Sequence, residues 1–219
     1  MVGEPYRVLV VDDGPIFIEG LSRHIEQDPD LELAGVAHTA DEALRLCARR
    51  RPHLVVVDLR LPREFVQEQL IRNTDPNLGI ELIRKIRCRW SDQTRILATS
   101  STPEDPLVLQ AIEAGADGFV DRNVDPALFI KAMKQVLAGE MVLDVHHYRL
   151  LQERRSLRLT QRERDVLRYL CQGLTDRDIA AELNVGVRTV EAYVRSLREK
   201  FHARTRGEVA AKARRLGLC

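Results

Sequence analysis

Short, continuous aliphatic runs alternate with amphipathic stretches through the first two thirds of the chain. Arg7–Val11 (RVLVV), Leu33–Ala37, Leu54–Val57 (LVVV), Arg95–Thr99 and Gly118–Val120 read as strands, because four to seven residues of this character suit strands covered on both faces. Between them, Ile16–Gln27, Ala40–Arg50, Ile80–Arg89 and Leu107–Ala114 repeat apolar residues at helical spacing, and a last helix is expected over Pro126–Leu137. Pro126 suits a first helical position and Gly139 follows the expected end. Five strand–helix repeats predict a doubly wound, five-stranded parallel sheet, an α/β architecture whose functional site lies outside the carboxyl ends of the strands.

The rhythm stops at Gly139. Residues 139–157 carry a basic run (Arg149, Arg154, Arg155) and read as a linker, helical in part around Tyr148–Glu153. From Thr160 onward the pattern is all helical: Gln161–Gln172, Asp176–Leu183, Arg188–Phe201 and Gly207–Leu216. The expected organisation is an α/β domain over 1–138, a linker over 139–157 and a small all-α domain over 158–219.

Charge sharpens that division. The net charge of the 219 residues is +1, yet residues 1–138 hold 17 Lys and Arg against 22 Asp and Glu, and residues 139–219 hold 17 against 11. A net −5 joined to a net +6 points to two tasks, the second facing a polyanion, although composition drift gives the same numbers. Apolar residues at 44% are enough for a packed core. No run approaches the roughly 20 apolar residues of a membrane span. Met1–Tyr6 has no secretory-signal pattern, so a cytoplasmic location is expected. Cysteines at 47, 88, 171 and 219 show no CxxC and no regular spacing, which predicts reduced thiols rather than a disulfide framework or a zinc site.

Chemistry gathers at strand ends. Asp12 and Asp13 follow RVLVV, and Asp58 follows LVVV. In a parallel sheet with these strands as neighbours, the three carboxylates converge at one edge. Like charges so placed raise one another's pKa unless a cation neutralises them, and oxygen donors with room for water suit Mg²⁺. Taken alone, an Asp pair after a strand is more often a loop or a helix cap.

The stretches VLVVDDGPIFIEGL, VVVDLRLP, ILATSS and AIEAGADGFVDR resemble, in order and register, the receiver domain of two-component response regulators, a flavodoxin-like fold. The resemblance implies that Asp58 accepts a phosphoryl group from a sensor histidine kinase. It further implies that Asp12, Asp13, Asp58 and the main-chain carbonyl of Arg60 hold Mg²⁺. Counting back from the AGA at 114–116 by the family interval assigns the switch hydroxyl to Ser100, with Thr99 and Ser101 as rivals one residue away; a hydroxyl that simply caps the loop is the bland alternative. Three departures stand out. Arg122 takes the place of the usual Lys, beside an Asp121 able to compete for the guanidinium, and Phe119 fills the aromatic switch position without a hydroxyl. The third is an extension over Arg63–Leu78, dotted with Phe65, Val66, Leu70 and Ile71 and ending in a turn-like Asn73–Asn77. It reads as a lid, a kinase-selecting surface, an interdomain contact or a tolerated insertion.

LTQRERDVLRYLCQGLTDRDIAAELNVGVRTVEAYVRSLREKFHARTR resembles the LuxR-type (NarL/FixJ) helix-turn-helix domain. The resemblance implies double-stranded DNA as partner, a homodimer, and a second helix in the major groove. Val190, Val194 and Leu197 repeat as a core stripe, leaving Arg188, Glu191 and Arg195 to face DNA. Thr189 belongs to the same surface, with Tyr193, Lys200 and Arg204 along the backbone and Thr175 and Arg177 at phosphates of the preceding helix. Arg198 and Glu199 are expected to be solvated. The expected function is a response-regulator transcription factor, not an enzyme beyond slow self-dephosphorylation. A regulator that works without phosphorylation, or a Mg²⁺-dependent hydrolase with an Asp nucleophile, are the alternatives.

Overall fold

The structure, a computed structural model, describes residues 4–63 and 74–219. Contacts divide it into two compact units, Met1–Leu143 and Asp144–Cys219.

The first unit is a five-stranded parallel sheet in the order β2-β1-β3-β6-β7, formed by β1 (Tyr6–Val11), β2 (Leu31–Ala37), β3 (Leu54–Asp58), β6 (Arg95–Ser100) and β7 (Gly118–Asp121). Alternation along the strands sends Val8, Val10, Leu54, Val56 and Leu97 to one face, where they meet Leu21 and Ile25 of α1 (Pro15–Gln27) and Phe129, Met133 and Val136 of α5 (Pro126–Leu137). Helices α2 (Ala40–Arg50), α3 (Pro76–Trp90) and α4 (Asp105–Ala114) follow one another across the other face. Val8–Val11 and Val55–Val57 are wholly buried, which is why these runs carry no polar alternation. The strand order reverses between β1 and β3, so the carboxyl ends of these two neighbours open into a crevice.

Two expectations change here. Helix α3 begins at Pro76, four residues before Ile80: Asp75 caps it by accepting from the Asn77 N–H at 2.9 Å, and Pro76 occupies its first turn. An Asp-Pro pair serves a turn or a helix start equally well, and here the chain uses it for the second. Leu61–Pro62 (β4) and Thr74–Asp75 (β5) pair antiparallel, so a residue pair just before the extension and one within it form a short ribbon. Phe65, Val66, Leu70 and Ile71 lie outside the described residues.

The segment expected as a linker is ordered in two ways. Val142 pairs with the edge strand β7, accepting from the Phe119 N–H at 2.8 Å. Gly118 is required at that contact, since a Cβ there would stand 2.8 Å from the Val142 carbonyl oxygen. Asp144 then caps α6 (Val145–Ser156), which belongs to the second unit. There it joins α7 (Gln161–Cys171), α8 (Asp176–Leu183), α9 (Val187–Lys200) and α10 (Arg206–Arg215). Capping boxes at Thr160–Glu163 and Thr175–Asp178 start α7 and α8, and Asn184 in the left-handed region (φ 52°) ends α8 and turns the chain into α9. Val166, Leu170, Ile179, Val190, Leu197, Val209 and Leu216 form the core, with α7, α8 and α10 all packed on α9.

The cysteines depart from the expectation of four separate thiols. Cys171 and Cys219 are joined as a disulfide with Cα atoms 6.2 Å apart, while Cys47 and Cys88 are free. A separation of 48 residues leaves no trace in cysteine spacing.

Candidate functional site: an acidic crevice and a basic helix

Asp12 and Asp13 leave the end of β1 and Asp58 closes β3, so the sheet register brings all three to one crevice. They are 1%, 5% and 4% exposed, and each offers a carboxylate oxygen within 4.8 Å of the others. Asp12 Oδ1 accepts from the Gly14 N–H at 2.6 Å, and Asp58 Oδ1 from the Arg60 N–H at 3.3 Å. Gly14 thus supplies a main-chain donor that needs no particular side chain. Burial pushes the Asp12 carboxyl up to about 7, the charge of Asp58 pushes the same way, and Arg122 opposes both. Burial raises Asp58 as well, again against Arg122.

Arg122, the first residue after β7, lies between the acids. Its Nη2 stands 2.5 Å from Asp12 Oδ2 and 2.7 Å from Asp58 Oδ2. The guanidinium carbon sits 4.7 Å from the centre of the Phe17 ring on α1, a cation–π contact that braces it. The competition expected from Asp121 does not arise, because its Oδ1 accepts from the main-chain and side-chain nitrogens of Asn123. Phe119 is buried at 5%. Asp12 Oδ2 remains a buried carboxylate oxygen with no aligned hydrogen-bond donor. This hard oxygen cluster, carrying one built-in positive charge, fits a divalent cation of Mg²⁺ type.

The three hydroxyls at the end of β6 have different surroundings. Thr99 donates to the Val120 carbonyl at 2.8 Å and is committed to the sheet. Ser100, fully buried, accepts from the Thr102 N–H at 3.3 Å, and its carbonyl accepts from the Arg122 N–H at 3.0 Å. Ser101 is exposed. Across the same edge, Arg60 Nη2 meets Glu104 Oε1 at 2.6 Å, tying the loop after β3 to the loop after β6. Gly79 passes so close to β3 that a Cβ would lie 2.5 Å from the Asp58 carbonyl oxygen and from Leu59 Cα.

On the second unit, Val190, Val194 and Leu197 of α9 are buried, and Arg188, Thr189, Glu191 and Arg195 are exposed on the rest of the helix. Tyr193 is half-buried, and Arg177 and Arg204 are exposed. Two expected DNA contacts turn out to have structural employment. The Thr175 hydroxyl is held in its capping box with Asp178. Lys200 Nζ stands 2.6 Å from Oε2 of the buried Glu163 and also donates to the Arg158 carbonyl at 3.2 Å. Glu163 accepts from Ser196 at 2.7 Å as well, and although burial favours its neutral form, the bonds from Lys200, Ser196 and Thr160 bring it down to about 2. Nothing in the spacing of Glu163 and Lys200 announces this pair. Nor does it announce Phe17 under Arg122, since an aromatic on an apolar helix face reads as core. Arg198 and Glu199 are exposed, as expected, and Arg198 also donates to the Arg204 carbonyl at 2.5 Å.

A buried acidic triad at the switch point of a five-stranded parallel sheet, followed by a helical unit with an exposed basic helix, defines a receiver joined to a helix-turn-helix module. Residues 8–134 match the response regulator receiver domain, and residues 157–213 match the bacterial regulatory proteins of the luxR family. The nitrate/nitrite response regulator protein NarL of Escherichia coli is 30% identical over 217 residues, 94% of each chain. The DNA-binding transcriptional activator DevR/DosR of Mycobacterium tuberculosis is 33% identical over 221 residues, 96% of this chain and 94% of the relative. Among solved structures, a LuxR-family two-component response regulator from an Aurantimonas species is 34% identical with a TM-score of 0.56, covering 69% of this chain and 99% of that one. RcsB dimers bound to DNA share the fold at 20% identity, with a TM-score of 0.65 over 96% of this chain and 98% of theirs. The chain belongs to the two-component response regulators with a LuxR-type DNA-binding domain, and it is a response-regulator transcription factor.

Proposed function

We propose that a sensor histidine kinase phosphorylates this regulator on Asp58 and that the phosphorylated receiver controls dimerisation and operator binding by the C-terminal unit. The observation that carries the reading is the buried Asp12, Asp13 and Asp58 triad with Arg122 placed against it. A carboxylate oxygen of Asp58 is the attacking atom in this reading: it forms a bond to phosphorus as the phosphorus–nitrogen bond of the phosphohistidine breaks, and the histidine nitrogen leaves. Asp12, Asp13, Asp58 and the main-chain carbonyl of Arg60 would hold Mg²⁺, which supplies neutralisation of charge on the phosphoryl oxygens. Arg122 begins on the carboxylate that is to be modified, so it follows the charge onto the new phosphoryl group. Ser100 is the switch hydroxyl in this reading: Thr99 is already bonded within the sheet, whereas Ser100 stands at the carboxyl edge with its hydroxyl on a loop N–H.

The carboxylate acts as a phosphoacceptor and turns over no metabolite; hydrolysis of its own acyl phosphate resets it. Double-stranded DNA is taken by α9 through Arg188, Thr189, Glu191 and Arg195, with Tyr193, Arg177 and Arg204 towards the backbone. Among the described residues no helix is long and apolar enough to cross a membrane, and DNA as the partner supports a cytoplasmic location in this reading.

One observation favours a second reading, in which the receiver acts without phosphorylation. The Arg122 guanidinium touches two of the three acids, leaving Asp58 Oδ2 already engaged. The experiment compares oligomeric state and DNA affinity with and without beryllofluoride in the presence of Mg²⁺. A response that disappears in Asp58→Ala supports control by phosphorylation, and no response in the wild type selects the second reading.

A further inference from the structure

We infer that Cys171 and Cys219 form a redox-responsive modification site, a thiol–disulfide pair that closes the DNA-binding unit covalently when a low-molecular-weight disulfide is abundant and opens it when thiols prevail. The observations are independent of phosphorylation and lie wholly within the second unit.

Four cysteines are present and only two can do this chemistry. Cys47, on the buried face of α2, has its thiol pushed up to about 12 by burial, so it holds its proton and does not attack. Cys88 is exposed on α3 and has no thiol partner among the described residues. Cys171, on the last turn of α7, is buried at 8%, whereas Cys219 is exposed, and their Cα separation of 6.2 Å lies inside the range a disulfide spans. Neither half needs the bond to stay in place. Leu216 is fully buried, Arg154 Nη1 donates to the carbonyls of Leu216 (2.6 Å) and Gly217 (3.1 Å), and the Leu218 N–H donates to Ala213 at 2.9 Å. The tail therefore presents Cys219 beside Cys171 in the reduced protein too.

The difference in burial sets the order of events. The Cys219 thiolate attacks one sulfur of the small disulfide and expels the other as a thiol, giving a mixed disulfide at the surface. The Cys171 thiolate then attacks Cys219 sulfur and releases the second small thiol. Two protein thiols are oxidised, one small disulfide is reduced, and the two protons leave on the two released thiols. Small thiols reverse the sequence because the bond has one exposed sulfur.

The consequence follows from where the bond closes the chain. It links positions 48 residues apart and so encloses α8, α9 and α10, a long loop whose closure removes much freedom from the unfolded unit. It pins α10 to α7, the two helices that brace α9. Cys171 lies inside residues 157–213, the part matched by the luxR family, and Cys219 lies beyond it.

The test uses the full-length protein equilibrated in glutathione and glutathione disulfide mixtures, quenched, denatured and alkylated for intact mass and peptide mapping. Oxidation is expected to lower the alkylated thiols from four to two, to yield a Cys171–Cys219 peptide, and to raise the melting temperature of the DNA-binding unit by about 5–15 °C. Cys219→Ser, an exposed substitution, is expected to abolish the peptide and the shift while melting like the reduced wild type. Four alkylated thiols in oxidising buffer, thiol loss found only as Cys88-linked dimers, a mixed disulfide that never resolves, or a bonded form that melts with the reduced one would each overturn the inference.

Discussion

Protons and metal compete for Asp12. A cation held by the triad needs that carboxylate ionised, yet burial and the neighbouring Asp58 hold its pKa at about 7. Below that value each pH unit removes roughly a factor of ten in affinity, about 1.4 kcal/mol, so Mg²⁺ binds on the order of tenfold more weakly at pH 6 than at pH 8. The same shift has a sign for folding. The folded receiver binds this proton more tightly than the unfolded chain, whose carboxyl titrates near 3.8. The metal-free receiver therefore gains stability from this group as pH falls from about 7 towards 4 and loses it as pH rises through that window. Saturating Mg²⁺ reverses the trend. Calorimetric titration with MgCl₂ at pH 6, 7 and 8, each in two buffers of different ionisation enthalpy, reads both affinity and protons released. About one proton is expected at pH 6 and almost none at pH 8. Asp12→Asn should flatten the profile. Arg122→Met should move it to higher pH, because the guanidinium is what pulls Asp12 downward. Affinity that is constant from pH 6 to 8 with no proton release would refute the argument, since Asp12 would then be ionised throughout.

Lys200→Met strands the Glu163 carboxylate, and the DNA-binding unit should lose roughly 1–3 kcal/mol in urea unfolding with no change in the salt dependence of DNA binding. In the wild type, the stability that Glu163 contributes is present above its usual 4.5 and disappears as pH falls through about 2, which acid titration followed by circular dichroism checks. Gly79→Ala forces a Cβ against the backbone of Asp58 and Leu59, so a cost of about 2 kcal/mol or more and slower labelling by a small phosphodonor are expected from chemical denaturation and from donor kinetics. Arg188→Ala and Arg195→Ala should each weaken operator binding and lower the slope of log affinity against log salt by about 1, whereas Arg198→Ala, whose guanidinium serves the Arg204 carbonyl, should leave the slope unchanged by fluorescence anisotropy.

Periodicity made the secondary structure legible because nearly every element here has a one-sided or two-sided apolar demand. LVVV suits a strand covered on both faces, and Val190, Val194 and Leu197 suit the inner stripe of a helix. Legibility failed where one dipeptide serves two local structures, as Asp75-Pro76 does. It failed again where a polar residue's role depends on a partner far along the chain. Lys200 reads as a phosphate contact until Glu163, 37 residues earlier, is found against it.

The amino-acid order alone determined the strands and helices, the division into an acidic α/β part and a basic helical part, and the appearance of Asp12, Asp13 and Asp58 at strand ends, since each depends on near neighbours and on a repeating pattern. Tertiary structure decided what those residues meet: Arg122 across both acids and braced by Phe17, Gly79 against β3, Glu163 under Lys200, and Cys219 beside Cys171. These are pairings over long separations, set by packing of whole elements, and local periodicity carries no information about them.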